Sequence, residues 1–282
     1  MIPRYPTVHV QVSAGDVELA SAILWDAGAT GIEERDATTL DKSEGADVTL
    51  VAHFASDAEA EEAVAALAPR RATVRHIVGD EWKERWKEFF KPTRIGRRLV
   101  VRPSWEAFEP GPRDVVITLD PGQAFGTGTH ESTRLVLAEV DALVRGGERV
   151  LDVGCGSGIL SIGALLLGAT SALAIDIDPI AVSVTAENAA LNGVADRLRA
   201  ETTAIEEVTG EYELVLANIQ SGVLISMAPS LIARVKPGGH LVLSGLLAHE
   251  SEEMRGAFSA LSFVREARDG EWIALVFVRT EG

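Results

Sequence analysis

The sequence predicts an α/β fold: a doubly wound, mostly parallel sheet preceded by a small α+β domain. Three observations predict it. The stretch Arg149-Val-Leu-Asp-Val-Gly-Cys-Gly-Ser-Gly158 runs from a buried-strand pattern into glycines at alternate positions, then into helical spacing over Ile159–Gly168. From there to the C-terminus strand-like runs alternate with helical ones, the pattern of parallel strands joined by crossover helices. Before residue 80 the order reads β-α-β-β-α-β, the ferredoxin-like arrangement.

Each element has its own signal. Thr7–Val12 alternates and is rich in valine, a strand. Gly15–Gly28 carries Val17, Ala20, Ile23 and Leu24 at helical spacing, with Gly28 as a stop. Thr30–Glu34 and Asp47–Phe54 read as strands. Ser56 is a good N-cap, and Asp57, Glu59, Glu61 and Glu62 favour the positive end of the helix it opens, which runs to about Ala68 before Pro69. Ala72–Val78 is the fourth strand. No motif here carries chemistry, so residues 1–79 read as a separate small domain. Residues 80–98 read as a connector. Trp82, Trp86, Phe89 and Phe90 share one helical face, and Pro92 ends the helix.

Residues 99–282 read as the main domain. Leu99–Arg102 and Val115–Leu119 are strands that precede the main sheet. The loop Asp120–Thr133 is rich in glycine and threonine around Phe125 and His130, the composition of a ligand clamp. A helix follows, with Leu135, Val136, Val140 and Leu143 as its apolar positions. Thr133 falls in its first turn, where hydroxyl and backbone N–H groups are available to a ligand. Past the glycines, Ala172–Ile177 is a strand ending at Asp176 and Asp178. Pro179 opens a helix that stops at Gly193. Leu198–Ile205 and Tyr212–Ile219 are strands, the second running into Asn218. Helices over Val223–Val235 and Ser251–Phe258 flank a turn at Lys236–Gly239 and a strand at His240–Ser244. Phe263–Ala267 and Trp272–Val278 close the sheet. Gly154, Asp176 and Asn218 all fall at carboxyl ends of strands, where ligands bind in such sheets.

Composition narrows the function. Acidic residues outnumber basic ones 42 to 26, for a formal net charge of -16, which argues against a partner gripped through nucleic-acid phosphates. The single cysteine, Cys155, excludes an intrachain disulfide and a cysteine-based zinc site, and it reads as a small residue of the turn. No metal site is expected. The N-terminus has no apolar signal core, and the most apolar segment, Ile159–Ala169, is too short for a membrane span, so the expected compartment is the cytoplasm.

Spacing separates the candidate cofactors. A phosphate-binding loop needs Lys-Ser or Lys-Thr after its last glycine, where Ile159 and Leu160 stand. A dinucleotide fingerprint needs glycine five places after the first, which is Ile159. S-adenosylmethionine has no phosphate, and its amino-acid end can lie on a glycine turn. Asp176, 22 residues after Gly154, can accept from both ribose hydroxyls. A nicotinamide-dependent oxidoreductase and a non-catalytic adaptor that binds the same cofactor remain as alternatives.

The sequence also resembles the PrmA family, the ribosomal protein L11 methyltransferases. The likeness covers Trp82 to about Trp272. Its carriers are Trp86-Lys, Lys91-Pro, Arg94-Ile-Gly, Pro103-Ser-Trp105, Leu119-Asp-Pro-Gly, Ala124-Phe-Gly-Thr-Gly-Thr-His130, Leu151-Asp-Val-Gly-Cys-Gly-Ser-Gly-Ile-Leu160, Asp176-Ile-Asp-Pro179, Ala217-Asn-Ile219 and Leu243-Ser-Gly245. It departs from the family at Glu131-Ser132, where Pro-Thr is common, and at Gln220-Ser221. The resemblance implies a Rossmann-like, seven-stranded class I methyltransferase domain, with residues 1–79 recruiting the substrate. It implies transfer of methyl groups from S-adenosylmethionine to lysine side-chain and N-terminal amines of the ribosomal protein; the chain itself is expected to be a monomer that, given its acidic charge, binds no nucleic acid directly. Carried over, Thr133, Gly154, Gly156, Asp176 and Asn218 are the cofactor-contacting positions. No general base is evident. His130 is a candidate that reads better as a structural hydrogen-bonder. Asn218 is followed by Ile-Gln-Ser rather than the Pro-Pro-aromatic used on planar nitrogens, which disfavours base methylation.

Overall fold

The computed structural model describes residues 4–13, 16–29, 31–35, 48–78, 91–119, 128 and 130–281. The aromatic connector helix expected at 80–90 and the loop residues 120–127 and 129 lie outside that set. The chain separates into two compact units, residues 1–89 and 90–282.

In the first unit, strands β1 (Arg4–Val12), β2 (Gly31–Arg35), β3 (Val48–His53) and β4 (Ala72–Val78) alternate with helices α1 (Val17–Asp26) and α2 (Asp57–Ala66). The strand order is β2-β3-β1-β4, all antiparallel. This is the ferredoxin-like order read from the pattern. Ser56 caps α2 as expected: its hydroxyl accepts from Glu59 N–H at 3.3 Å, while the Glu59 carboxylate accepts from Ser56 N–H at 3.1 Å. Val8, Val10, Leu24, Leu50, Ala52, Phe54, Ala60, Ala63 and Leu67 form one buried cluster between sheet and helices.

The second unit opens with β5 (Thr93–Ile95), β6 (Leu99–Arg102) and β7 (Val115–Thr118), a three-stranded sheet of their own. Residues 93–95 fall in the stretch read as connector and are instead paired backbone. Helix α3 (Glu131–Leu143) leads into the main sheet. Its elements are β8 (Arg149–Val153), α4 (Ile159–Leu166), β9 (Ser171–Ile175), α5 (Pro179–Leu191), β10 (Leu198–Glu201), β11 (Tyr212–Asn218), α6 (Ser221–Arg234), β12 (Val235–Leu247), α7 (Ser251–Ala257), β13 (Ser262–Asp269) and β14 (Trp272–Val278).

The order is β10-β9-β8-β11-β12-β14-β13. The strands from β10 to β12 are parallel, and β14 and β13 add an antiparallel end. The direction of winding reverses between β8 and β11, and a crevice opens at such a switch point. Helix α4 is buried from Ile159 to Leu165, with Ser161 as its one polar side chain. A side chain at Gly163 would come within 3.1 Å of Ile117 and 3.2 Å of Leu137, so this glycine lets α4 lie close to β7 and α3.

Several boundaries shift by a few residues from the sequence reading, and two of the differences have a clear cause in the pairing. The third strand was expected to reach Ile205 but ends at Glu201, because only 198–201 find partners on β9. The Lys236–Gly239 turn lies inside β12: Tyr212 pairs with Val235 and Leu214 with His240, so the four residues between form a bulge.

Candidate functional site

A cleft of about 620 Å³ opens at the carboxyl ends of the parallel strands. Thr133, Gly154, Gly156, Asp176 and Asn218, separated by up to 85 residues of sequence, all line it. The structure therefore brings together every site residue that the sequence singled out.

Its floor is the turn after β8. Gly154 (φ 72°), Gly156 (φ 55°) and Gly158 (φ 76°) adopt left-handed conformations that favour glycine. Close approach adds a second demand: a side chain at Gly154 would sit 2.5 Å from Ile219 Cγ2, and one at Gly158 would sit 2.7 Å from Thr185 Cγ2. The bend is tied from beneath. Gly154 and Cys155 N–H both donate to Ile175 O, Thr185 Oγ1 donates to Gly156 O at 3.0 Å, and Asn188 Nδ2 donates to Ser157 O at 2.9 Å.

Asp176 stands at the end of β9, one residue past the last ladder pair. Its Oδ2 accepts from Gly156 N–H at 3.0 Å and its Oδ1 from Asp178 N–H at 3.1 Å. Each oxygen keeps acceptor capacity for a neighbouring diol. Asp178 turns away, since its Oδ1 accepts from Ile180 N–H and caps α5, with Pro179 in the first turn.

Another acid lies under the floor. Asp152 is fully buried, its Oδ2 accepts from Ser161 N–H and Oγ–H, and its Oδ1 has no partner among the described residues. Burial, reinforced by the Asp176 charge and opposed by the Ser161 hydrogen bonds, pushes it up to about 6. Cys155 is likewise buried, and its thiol is pushed up to about 12, so it is no nucleophile at neutral pH.

The wall is made of side chains. Asn218, at the end of β11, donates through Nδ2 to Thr133 Oγ1 at 3.3 Å, and its Oδ1 is buried without a partner among the described residues. His130 is the N-cap of α3: Ser132 N–H donates to its Nδ1 at 3.3 Å, and Ser132 Oγ lies 2.8 Å from the same nitrogen. The ring meets Trp272 edge to face, with centroids 4.7 Å apart. Gly245 (φ 79°) presses on Ile219, where a side chain would come within 2.6 Å of its carbonyl oxygen.

Sequence reasoning did not single out Trp272 or Thr203–Ile205 as cleft residues, although all of them line it. The second group lies just past the carboxyl end of the parallel strand β10, a usable signal that a strand running to Ile205 hides. Trp272 had none, because only the antiparallel hairpin brings it to the cleft.

The electrostatics restrict the ligand. Among the described residues lining the cleft there is no lysine or arginine, and Asp176 is the acid. Such a lining brings no cationic side chain to a phosphate, and the Asp176 carboxylate suits a ligand carrying positive charge. The glycine bend, the Asp176 carboxylate and the lack of a lysine or arginine among the described lining residues fit S-adenosylmethionine.

Comparison with known proteins agrees with this geometry. The family described as ribosomal protein L11 methyltransferase (PrmA) matches residues 4–280. The chain is 41% identical to a ribosomal protein L11 methyltransferase of Geobacter metallireducens, over 98% of this chain and 99% of the relative. It is 43% identical to the one of Geobacter sulfurreducens, over the full length of both. Among solved structures it resembles a ribosomal protein L11 methylase from Lactobacillus delbrueckii subsp. bulgaricus, with a TM-score of 0.63 and 33% identity over 68% of this chain and all of the other.

Proposed function

The chain belongs to the ribosomal protein L11 methyltransferase (PrmA) family, and on that premise we propose that it methylates amines of ribosomal protein L11, both lysine side chains and the N-terminal amine. The methyl donor is S-adenosylmethionine, which when bound supplies an electrophilic methyl group on a sulfonium. The observation that carries the reading is that one cleft holds Asp176, beside the floor, and the Oδ1 of Asn218, which has no partner among the described residues. The first suits a ribose, the second an incoming N–H.

We assign cofactor contacts to Thr133, Gly154, Gly156, Asp176 and Asn218. Gly154 and Gly156 present bare backbone, and Asp176 accepts from the sugar hydroxyls. The Asn218–Thr133 hydrogen bond assigns Nδ2 as the donor and leaves Oδ1 as the acceptor that we assign to the incoming amine. A lysine starts near pKa 10.4 and must be neutral to attack. The apolar part of the lining, Val153, Ile159, Ile175, Ile205 and Val223 among it, desolvates the ammonium and favours the neutral form. His130 Nδ1 is taken by its own helix cap, so the residues act by positioning and desolvation rather than as a general base.

Residues 1–79 are proposed to recruit the substrate, and the whole to act as a cytoplasmic monomer without direct nucleic-acid contact. Among the described residues no helix is long and apolar enough to cross a membrane. The test is incubation with purified L11 and labelled S-adenosylmethionine, read by intact mass and then by peptide mapping. Whole methyl increments on lysine and N-terminal amines are expected. Cofactor binding with no mass gain on L11 would leave the adaptor reading instead.

A further inference from the structure

Two distant elements meet at the end of the cleft that carries His130 and Thr133. One is the first turn of α3, where Arg134 follows Thr133 and its N–H donates to His130 O at 3.0 Å. The other is the β13–β14 hairpin, where Asp269 and Trp272 form the last cross-strand pair before a turn through Gly270. Arg134 Nε at 3.2 Å and Nη2 at 2.6 Å both donate to Asp269 Oδ2, and Glu131 flanks the guanidinium at 3.7 Å. The edge-to-face contact of His130 with Trp272 spans the same two elements. Its geometry depends on how they are held.

We propose that Arg134 and Asp269 form a clasp that sets the spacing of His130, Thr133 and Trp272, as positioning residues for methyl transfer. This rests on the methyltransferase reading above. The side chains of the pair are 33% and 41% exposed, and ion pairs so exposed add little to folding. What the pair contributes is place. Small displacements of an acceptor relative to the group it attacks cost rate steeply.

The molecule carries its own control. Farther along α3, Glu139 accepts from both Arg265 Nε and Nη2, tying the same helix to the same hairpin. Neither residue lines the cleft. If docking of the hairpin were all that mattered, this second tie would matter equally.

The experiment compares R134Q, D269N, the double variant and E139Q in the full chain. It reads kcat and KM with intact L11, cofactor Kd by calorimetry, and Tm. The single clasp variants should lower kcat roughly fivefold to twentyfold, with cofactor Kd within about twofold and Tm near wild type. The double variant should be no slower than the slower single one, because both break the same tie. R134K, which keeps the charge but loses the fork, should fall between. Unchanged kcat in both single variants would overturn the clasp, and so would losses that multiply in the double variant. A loss in E139Q equal to that in R134Q would do the same. A wild-type chain that leaves L11 unmodified would remove the underlying activity itself, an outcome the variants cannot mimic.

Discussion

The floor and the wall of the cleft are built from different material. The floor, residues 154–158, is backbone, tied by hydrogen bonds to Ile175 of β9, to the Asp176 carboxylate and to Thr185 and Asn188 of α5. The wall, at His130, Thr133, Asn218 and Trp272, is side chain from separate elements, and one of its buried oxygens is left without a partner among the described residues. A surface made of bare backbone holds a ligand in place. A surface with an unfilled acceptor waits for one, since a buried polar atom without a partner is costly. Substitutions in the floor should therefore damage binding, and those in the wall should damage turnover.

The largest effect is expected from Gly154→Ala. The new methyl would need to displace Ile219 and would strain a left-handed residue. Cofactor Kd should rise at least about 100-fold, read by calorimetry. A variant that binds normally would mean the ligand does not lie on this turn.

Asn218→Ala should act on the other surface. Turnover should fall about 100-fold, while cofactor affinity changes by less than about tenfold. Equal losses in both would erase the distinction between floor and wall. Asp176→Ala comes next, weakening cofactor binding by about 1–3 kcal/mol through lost hydrogen bonds to the sugar. An unchanged binding isotherm would take Asp176 out of the site.

Asp152 gives a smaller, pH-dependent signature from beneath the floor. Its folded-state pKa, about 6, lies above the ordinary carboxylate value. The native state then holds this proton more tightly than the unfolded chain, so the Asp152 contribution to stability falls as pH rises from about 4 to about 6. Urea titrations at both pH values should show wild type losing on the order of 2 kcal/mol more than Asp152→Asn across that window. Parallel curves would place the charge of Asp152 somewhere less confined.

The same division explains what could be read in the sequence. The glycines were legible because glycine suits both a left-handed φ and a neighbour 2.5 Å from where a side chain would begin. Asp176 was legible because the end of a parallel strand and a fixed spacing from Gly154 point to one residue. The first unit's order was legible from alternation and the Ser56 cap alone. The pairing of His130 with Trp272 was not, because 142 residues separate them and nothing local marks either for the other. The early end of β10 is not legible for a related reason: nothing in Leu198-Arg-Ala-Glu-Thr-Thr-Ala-Ile205 marks where pairing stops, which is set by the end of β9 at Ile175.

The two rims of the main sheet have a consequence for how a flexible tail can be engaged. One rim is β10, only Leu198-Arg-Ala-Glu long, with Arg199 paired to Glu201. The other is β13, which carries Arg265, Glu266, Arg268 and Asp269 in eight residues. Short or densely ionic borders discourage an extended peptide from zipping alongside as an extra strand.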